Sequence, residues 1–158
     1  MTVPHPKSAD RAASPAPEPA RTPSPWQGQG AVVAVVALGG AIGATARYAA
    51  SLLWPARTGG FPWTTFGINI IGCAVIGVFM VVITEVWAAH RLVRPFFGTG
   101  VLGGFTTFST YSVEIQRLVD AGEPRTALAY LFGTLTGALT VVWLAMKSTR
   151  GLLAWRQR

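Results

Sequence analysis

Charge is what this sequence has least of: 12% of its 158 residues are Asp, Glu, Lys or Arg, about half the share in a soluble domain. With 51% hydrophobic residues and a mean hydropathy of +0.42, the composition is that of a membrane protein. There is one cysteine, Cys73, so no disulfide can form within the chain. Its position beside Gly72 in an apolar run suits a small hydrophobe. The two histidines, His5 and His90, fall outside the apolar runs. No catalytic His/Cys/Asp cluster and no Cys/His metal spacing follows, and membrane enzymology has no residues to work with. The first apolar run contains no acidic residue, which deprives a cation–proton exchanger of its obvious carrier. The net charge of +7 comes from Lys and Arg residues scattered over helix ends and tails. Without a dense basic run it is no nucleic-acid footprint.

What is present is four apolar runs, roughly 31–54, 64–88, 95–119 and 126–146, each long enough to span a bilayer as a helix. The expected fold is an all-α membrane protein with four transmembrane helices over 31–147. Residues 1–30 hold seven of the eleven prolines and read as a disordered tail; because the prolines precede a run of spanning length, this is not a secretory signal. A short basic tail follows over 148–158. Four spans place nine Lys and Arg on the side of the termini (Lys7, Arg11, Arg21, Arg91, Arg94, Lys147, Arg150, Arg156, Arg158) and four on the other (Arg47, Arg57, Arg117, Arg125), which favours cytoplasmic termini. Trp54 and Trp63 flank the first loop, and Trp26, Trp87, Trp143 and Trp155 lie near the opposite face, as interfacial aromatics do. A bundle this thin leaves little room for an internal cavity, so a pore calls for a second subunit.

The polar residues inside the runs carry the functional signal. In the third run, Gly103-Gly104 weakens the helix and five Ser and Thr follow within seven residues: Thr106, Thr107, Ser109, Thr110 and Ser112. Phe108 and Tyr111 share a face at i, i+3. Freed backbone groups and hydroxyls at membrane depth are tolerated only inside protein or along a hydrated path, which makes this segment a candidate pore. Asn69 is the only asparagine in the chain and stands on one face with Thr65; it is either interhelical glue or pore lining. Gly39 and Gly43 form a small-xxx-small pair suited to close helix packing. Arg47 either snorkels to the interface or attracts anions at a vestibule mouth. Glu114 and Arg117 have the spacing of a surface ion pair, with a vestibule role for Glu114 as the alternative. Glu85 beside Trp87 reads as a solvated interfacial carboxylate. Tyr130, Thr134 and Ala138 recur every four residues as a partly polar stripe, explained by packing or by a hydroxyl track.

Such a lining of amides, hydroxyls and aromatic rings can dehydrate a small ion. Hydroxyl and amide donors replace part of an anion's water shell, and an aromatic ring presents a positive edge. A broken helix also frees carbonyl oxygens, which suit a hard cation.

Three motifs together resemble the Fluc (CrcB) fluoride channels: Gly39-Gly40-x-x-Gly43-Ala44-x-x-Arg47-Tyr48, Thr65-x-x-x-Asn69-x-x-Gly72, and Gly103-Gly104-Phe105-Thr106-Thr107-Phe108-Ser109-Thr110-Tyr111-Ser112 with Glu114. The resemblance implies an antiparallel, dual-topology-type dimer with a broken third helix and two fluoride pores. It places Phe108 and Tyr111 on the fluoride path, where Tyr111 stands for a residue that is often Phe. Asn69 would be a polar pore donor, with Thr65, Ser112, Tyr130 and Thr134 along the path; Ala138 departs from the family by lacking a hydroxyl. A structural Na+ would sit at the dimer centre on the backbone carbonyls of Gly103 and Thr106. The implied function is passive export of toxic fluoride across the inner (plasma) membrane, with no coupling ion. The implied partner is an antiparallel copy; because the Lys/Arg bias opposes insertion in both orientations, an oppositely oriented paralogue is the alternative. The competing readings are a small multidrug exporter, with Glu114 as its essential carboxylate, and a structural scaffold.

Overall fold

A computed structural model describes residues 29–55, 60–87 and 90–156. Most of the predicted N-terminal tail, 1–30, lies outside the described residues. The elements are α1 (Gly30–Leu53), α2 (Trp63–Val81, prolonged by a π-helical turn over Val82–Val86), and α3, which begins π-helical over Pro95–Leu102 and closes with one α-turn over Gly103–Phe105. Next come α4 (Ser109–Asp120) and α5 (Pro124–Arg156). Among the described residues there is no strand.

Three helices, Gly30–Leu53, Trp63–Val86 and Pro124–Arg156, are long and apolar enough to cross a membrane. The predicted third span, 95–119, is two half-helices, as a broken third helix requires. The longer half, the 12-residue α4, rises about 18 Å, short of a hydrocarbon core of about 30 Å. The fourth run outgrows its expected bounds, 126–146: α5 has 33 residues and so is about 50 Å long. The predicted basic tail, 148–158, is helical as far as Arg156. It is held to the end of α2 by Arg150 Nε, 2.7 Å from Glu85 Oε1. Glu85 is therefore paired rather than merely solvated.

The glycines and the break divide differently from the sequence expectation. Gly103 is helical (φ −65°, ψ −35°), and the chain leaves the helix at Thr106 (φ −76°, ψ 158°). Gly43 and Gly104 serve close packing instead. A Cβ on Gly43 would collide with the Val101 carbonyl oxygen, and one on Gly104 with the Gly40 carbonyl oxygen. Side chains there would push α1 off α3, so the expected small-residue contact of Gly39 and Gly43 is the α1–α3 crossing. Gly122 has a different duty. Its positive φ of 78° and the Glu123 N–H donating to Leu118 O at 2.8 Å close α4 in a Schellman turn. Pro124 then opens α5 without needing an N–H donor.

α1 lies along α3, α2 lies along α5, and α4 folds back onto α5. The buried core sits where α4 meets α5: Tyr111, Leu118, Ala127 and Tyr130, flanked by Phe61, Phe66, Ile115 and Leu131. Ile68, Val81, Ile83 and Leu102 are buried elsewhere, but many large apolar side chains are exposed, among them Leu38, Ile42, Val75, Phe108, Leu135 and Leu139, surface suited to lipid or to another subunit.

Candidate functional site

The break between α3 and α4 is wired by side chains. Asn69, on α2, makes two hydrogen bonds to a single residue: its Nδ2 donates to Thr107 O at 3.0 Å and its Oδ1 accepts the Thr107 N–H at 2.9 Å. An amide side chain has one acceptor and one donor group at this spacing, so it matches the N–H and C=O of one residue that has left the helix. Arg47 Nε, from α1, donates to Gly104 O at 3.1 Å. Thr106 Oγ1 donates to Leu102 O at 2.8 Å, while Thr107 Oγ1 accepts the Thr110 N–H at 3.1 Å at the start of α4. Gly72 leaves room on α2 for the Thr106 methyl group, which a Cβ would overlap.

Beside the break lies a cavity of about 490 Å³, lined by Asn69, Thr107, Phe108, Tyr111, Thr134 and Ala138, among others. Phe108 is 79% exposed, so one wall of this cavity is open to whatever lies next to the chain. The Phe108 and Tyr111 rings are 5.8 Å apart and tilted by 47°. The Tyr111 hydroxyl is spent on Leu131 O at 2.8 Å, which fixes the ring in the cavity wall. Thr134 is 6% exposed, and its Oγ1 has no hydrogen-bond partner. A buried hydroxyl without a partner costs about 1–3 kcal/mol, unless something in the cavity meets it.

Glu114 joins a second polar cluster one turn away. Its Oε1 accepts from Thr65 Oγ1 at 2.8 Å, and its Oε2 accepts from the Tyr130 hydroxyl at 2.7 Å. Thr65 is 5% exposed and Tyr130 is fully buried. The expected surface pair with Arg117 does not form, since Arg150–Glu85 is the one salt bridge among the described residues. Two buried hydroxyls compete for the carboxylate, while Arg117 projects from an exposed position. Tyr130 stacks edge-on against Tyr111, with centroids 5.1 Å apart, and so connects this cluster to the cavity.

Of the residues singled out from the sequence, the structure gathers Asn69, Phe108, Tyr111 and Thr134 around one cavity and joins Thr65 and Tyr130 through Glu114. Ser112 stands apart, its hydroxyl donating to Phe108 O at 2.9 Å within its own helix. Arg47 is half-buried against the break rather than extended to an interface. Gly103 and Thr106 flank the last turn of α3. Sequence reasoning did not find the pairing of Asn69 with the Thr107 backbone; the lone asparagine was the available signal, but its partner is a peptide group, which no residue type reveals. Among the described residues no group of His, Cys, Asp or Glu could hold a metal ion, so any cation here must use backbone or hydroxyl oxygens.

The family model for CrcB-like protein, Camphor Resistance (CrcB), matches residues 34–146. The chain is 69% identical over 158 residues, all of both proteins, to "Fluoride-specific ion channel FluC 2" of Streptomyces avermitilis. It is 69% identical over 134 residues, 85% of this chain and 87% of the relative, to "Fluoride-specific ion channel FluC 1" of Streptomyces coelicolor. To the "FluC 2" of Nocardia farcinica it is 50% identical over 120 residues, 76% of this chain and 86% of the relative. The matched region runs from α1 through most of α5 and contains the break, the cavity and the Glu114 cluster, and the chain belongs to the CrcB family of ion channels.

Proposed function

We propose that this chain is one subunit of a passive, fluoride-selective channel that exports fluoride from the cytoplasm across the inner (plasma) membrane. The observation that carries this reading is the Thr134 hydroxyl, buried and unpartnered, in the same cavity as the Phe108 and Tyr111 rings. A small anion entering there finds one hydroxyl donor and two positive ring edges, and no carboxylate lines the cavity. The printed names of the relatives, fluoride-specific ion channels, point to the same ion. Asn69 contributes its remaining amide hydrogen to the path. Thr65 and Tyr130, bonded to Glu114, extend the polar groups beyond the cavity, Ser112 lies on the neighbouring turn of α4, and half-buried Arg47 adds a positive charge at the vestibule.

The two half-helices on either side of Thr106–Phe108 together make the third of four spans. The second wall of the cavity comes from an antiparallel partner lying against exposed Phe108. That partner is a copy of the chain or an oppositely inserted paralogue; the nine-to-four Lys/Arg bias favours the paralogue, and one relative's organism has proteins named both FluC 2 and FluC 3.

A central Na+ suits the donors present. Two amides that would close onto Gly103 and Thr106 in a continuous helix, those of Thr107 and Thr110, are bonded to the Asn69 and Thr107 side chains. The Gly103 and Thr106 carbonyls would hold the ion, as hard neutral oxygens, and when bound it supplies fixed positive charge at the dimer centre. Fluoride then moves down its electrochemical gradient without a coupling ion.

The test is made in cells that lack their own fluoride channels. Expressing the chain with its partner should lower cytoplasmic fluoride when the medium is acidic and contains fluoride. Unchanged fluoride content, together with proton-dependent movement of a lipophilic cation abolished by Glu114→Gln, would favour an exporter of the multidrug type instead.

A further inference from the structure

We infer that Asn69 is the positioning residue of the cation site: by clamping Thr107 it keeps both carbonyls of that site, Gly103 and Thr106, out of the helical hydrogen-bond ladder. This rests on the reading of Gly103 and Thr106 as Na+ ligands. In an unbroken α-helix the N–H of residue i closes onto the carbonyl of residue i−4, so Gly103 O belongs to Thr107 N–H and Thr106 O to Thr110 N–H. Both amides are diverted, and in sequence. Asn69 Oδ1 takes the Thr107 N–H at 2.9 Å, while its Nδ2 holds Thr107 O at 3.0 Å. With Thr107 fixed in this way, its own Oγ1 is placed to accept the Thr110 N–H at 3.1 Å and to donate to Thr110 Oγ1 at 3.0 Å.

One side chain on α2 thus sets the first diversion and positions the side chain that makes the second. The neighbouring carbonyls are occupied: Leu102 O by Thr106 Oγ1, Gly104 O by Arg47, and Thr107 O by Asn69 itself. The pattern leaves Gly103 and Thr106 among the oxygens of the break that no side chain claims. Removing the amide returns the Thr107 N–H to Gly103 O and makes it compete with the cation. The role is distinct from donating to passing fluoride, because it acts on cation affinity and would persist in a channel that carries no anion at all.

The experiment titrates Na+, with N-methyl-D-glucamine replacing it, against the thermal unfolding of the purified detergent-solubilised dimer, for wild type, Asn69→Ala and Thr107→Val. Wild type should unfold at a temperature that rises with Na+. Asn69→Ala should raise the half-saturating Na+ concentration about tenfold, the effect of one ordinary hydrogen bond's competition. Thr107→Val keeps the Asn69 clamp but frees the Thr110 amide, and should raise it about threefold. An Asn69→Ala dimer whose unfolding temperature drops equally at every Na+ concentration, with half-saturation within twofold of wild type, overturns the inference; that is the behaviour of a merely structural residue. If Asn69→Ala does not assemble, an unshifted Thr107→Val titration overturns it equally. A wild-type dimer indifferent to Na+ would instead remove the cation reading on which the inference rests.

Discussion

The Tyr130 hydroxyl donates to Glu114 Oε2 at 2.7 Å, binding α5 to α4 through a carboxylate whose other oxygen accepts from Thr65 on α2. Three helices meet at this one side chain. Glu114→Ala would strand two buried hydroxyls, at about 1–3 kcal/mol each. The expected result is a loss of about 2–5 kcal/mol of stability, read as a lowered unfolding temperature in detergent. Glu114→Gln, which keeps an acceptor for one hydroxyl, should cost less than half as much.

Phe108 is the opposite case, a large side chain that its own subunit barely touches. Phe108→Ile removes the ring edge at modest cost in volume. Fluoride flux should fall by at least tenfold while the size-exclusion profile of the purified channel is retained. Wild-type flux in a well-assembled Phe108→Ile channel would rule out a role for the aromatic edge.

The α1–α3 crossing is set by backbone-to-backbone contact. Gly43→Ala forces a methyl group onto the Val101 carbonyl and should destabilise the subunit by about 1–3 kcal/mol. Gly151→Ala, with open space around its Cβ position, should leave the unfolding temperature unchanged or slightly higher. Circular-dichroism melts of the two variants side by side check the contrast.

Glu85 and Arg150 form an ion pair whose side chains are 39% and 59% exposed. A pair this open contributes no more than about 1 kcal/mol. Glu85→Gln should therefore leave fluoride flux untouched and lower the unfolding temperature by a degree or two at most. A large loss of flux would mean that this end of α5 does more than anchor the helix.

The sequence disclosed the class of fold readily, because runs of spanning length have one stable solution in lipid. It disclosed the crossing glycines too, since Gly39 and Gly43 differ from their neighbours in nothing but size. It disclosed the broken segment but not the residue at which the helix ends. Gly103-Gly104 looked like the weak point, but Gly104 is small so that α1 can approach, and the helix gives way where Asn69 offers Thr107 a better partner. That preference depends on α2 lying alongside, which local sequence does not encode. Glu114 was misjudged for the same reason. Its i, i+3 neighbour Arg117 is visible in the sequence, whereas Thr65 and Tyr130 come from 49 and 16 residues away. Phe108, Tyr111 and Thr134 could be read from spacing, but their common cavity appears only when α4 folds back along α5.

The most direct test is fluoride efflux from liposomes holding the purified channel with its partner subunit, followed with fluoride- and chloride-selective electrodes while valinomycin carries potassium out. The account predicts rapid fluoride release with chloride retained. Equal release of both ions, or no fluoride release from a well-assembled dimer, would contradict it.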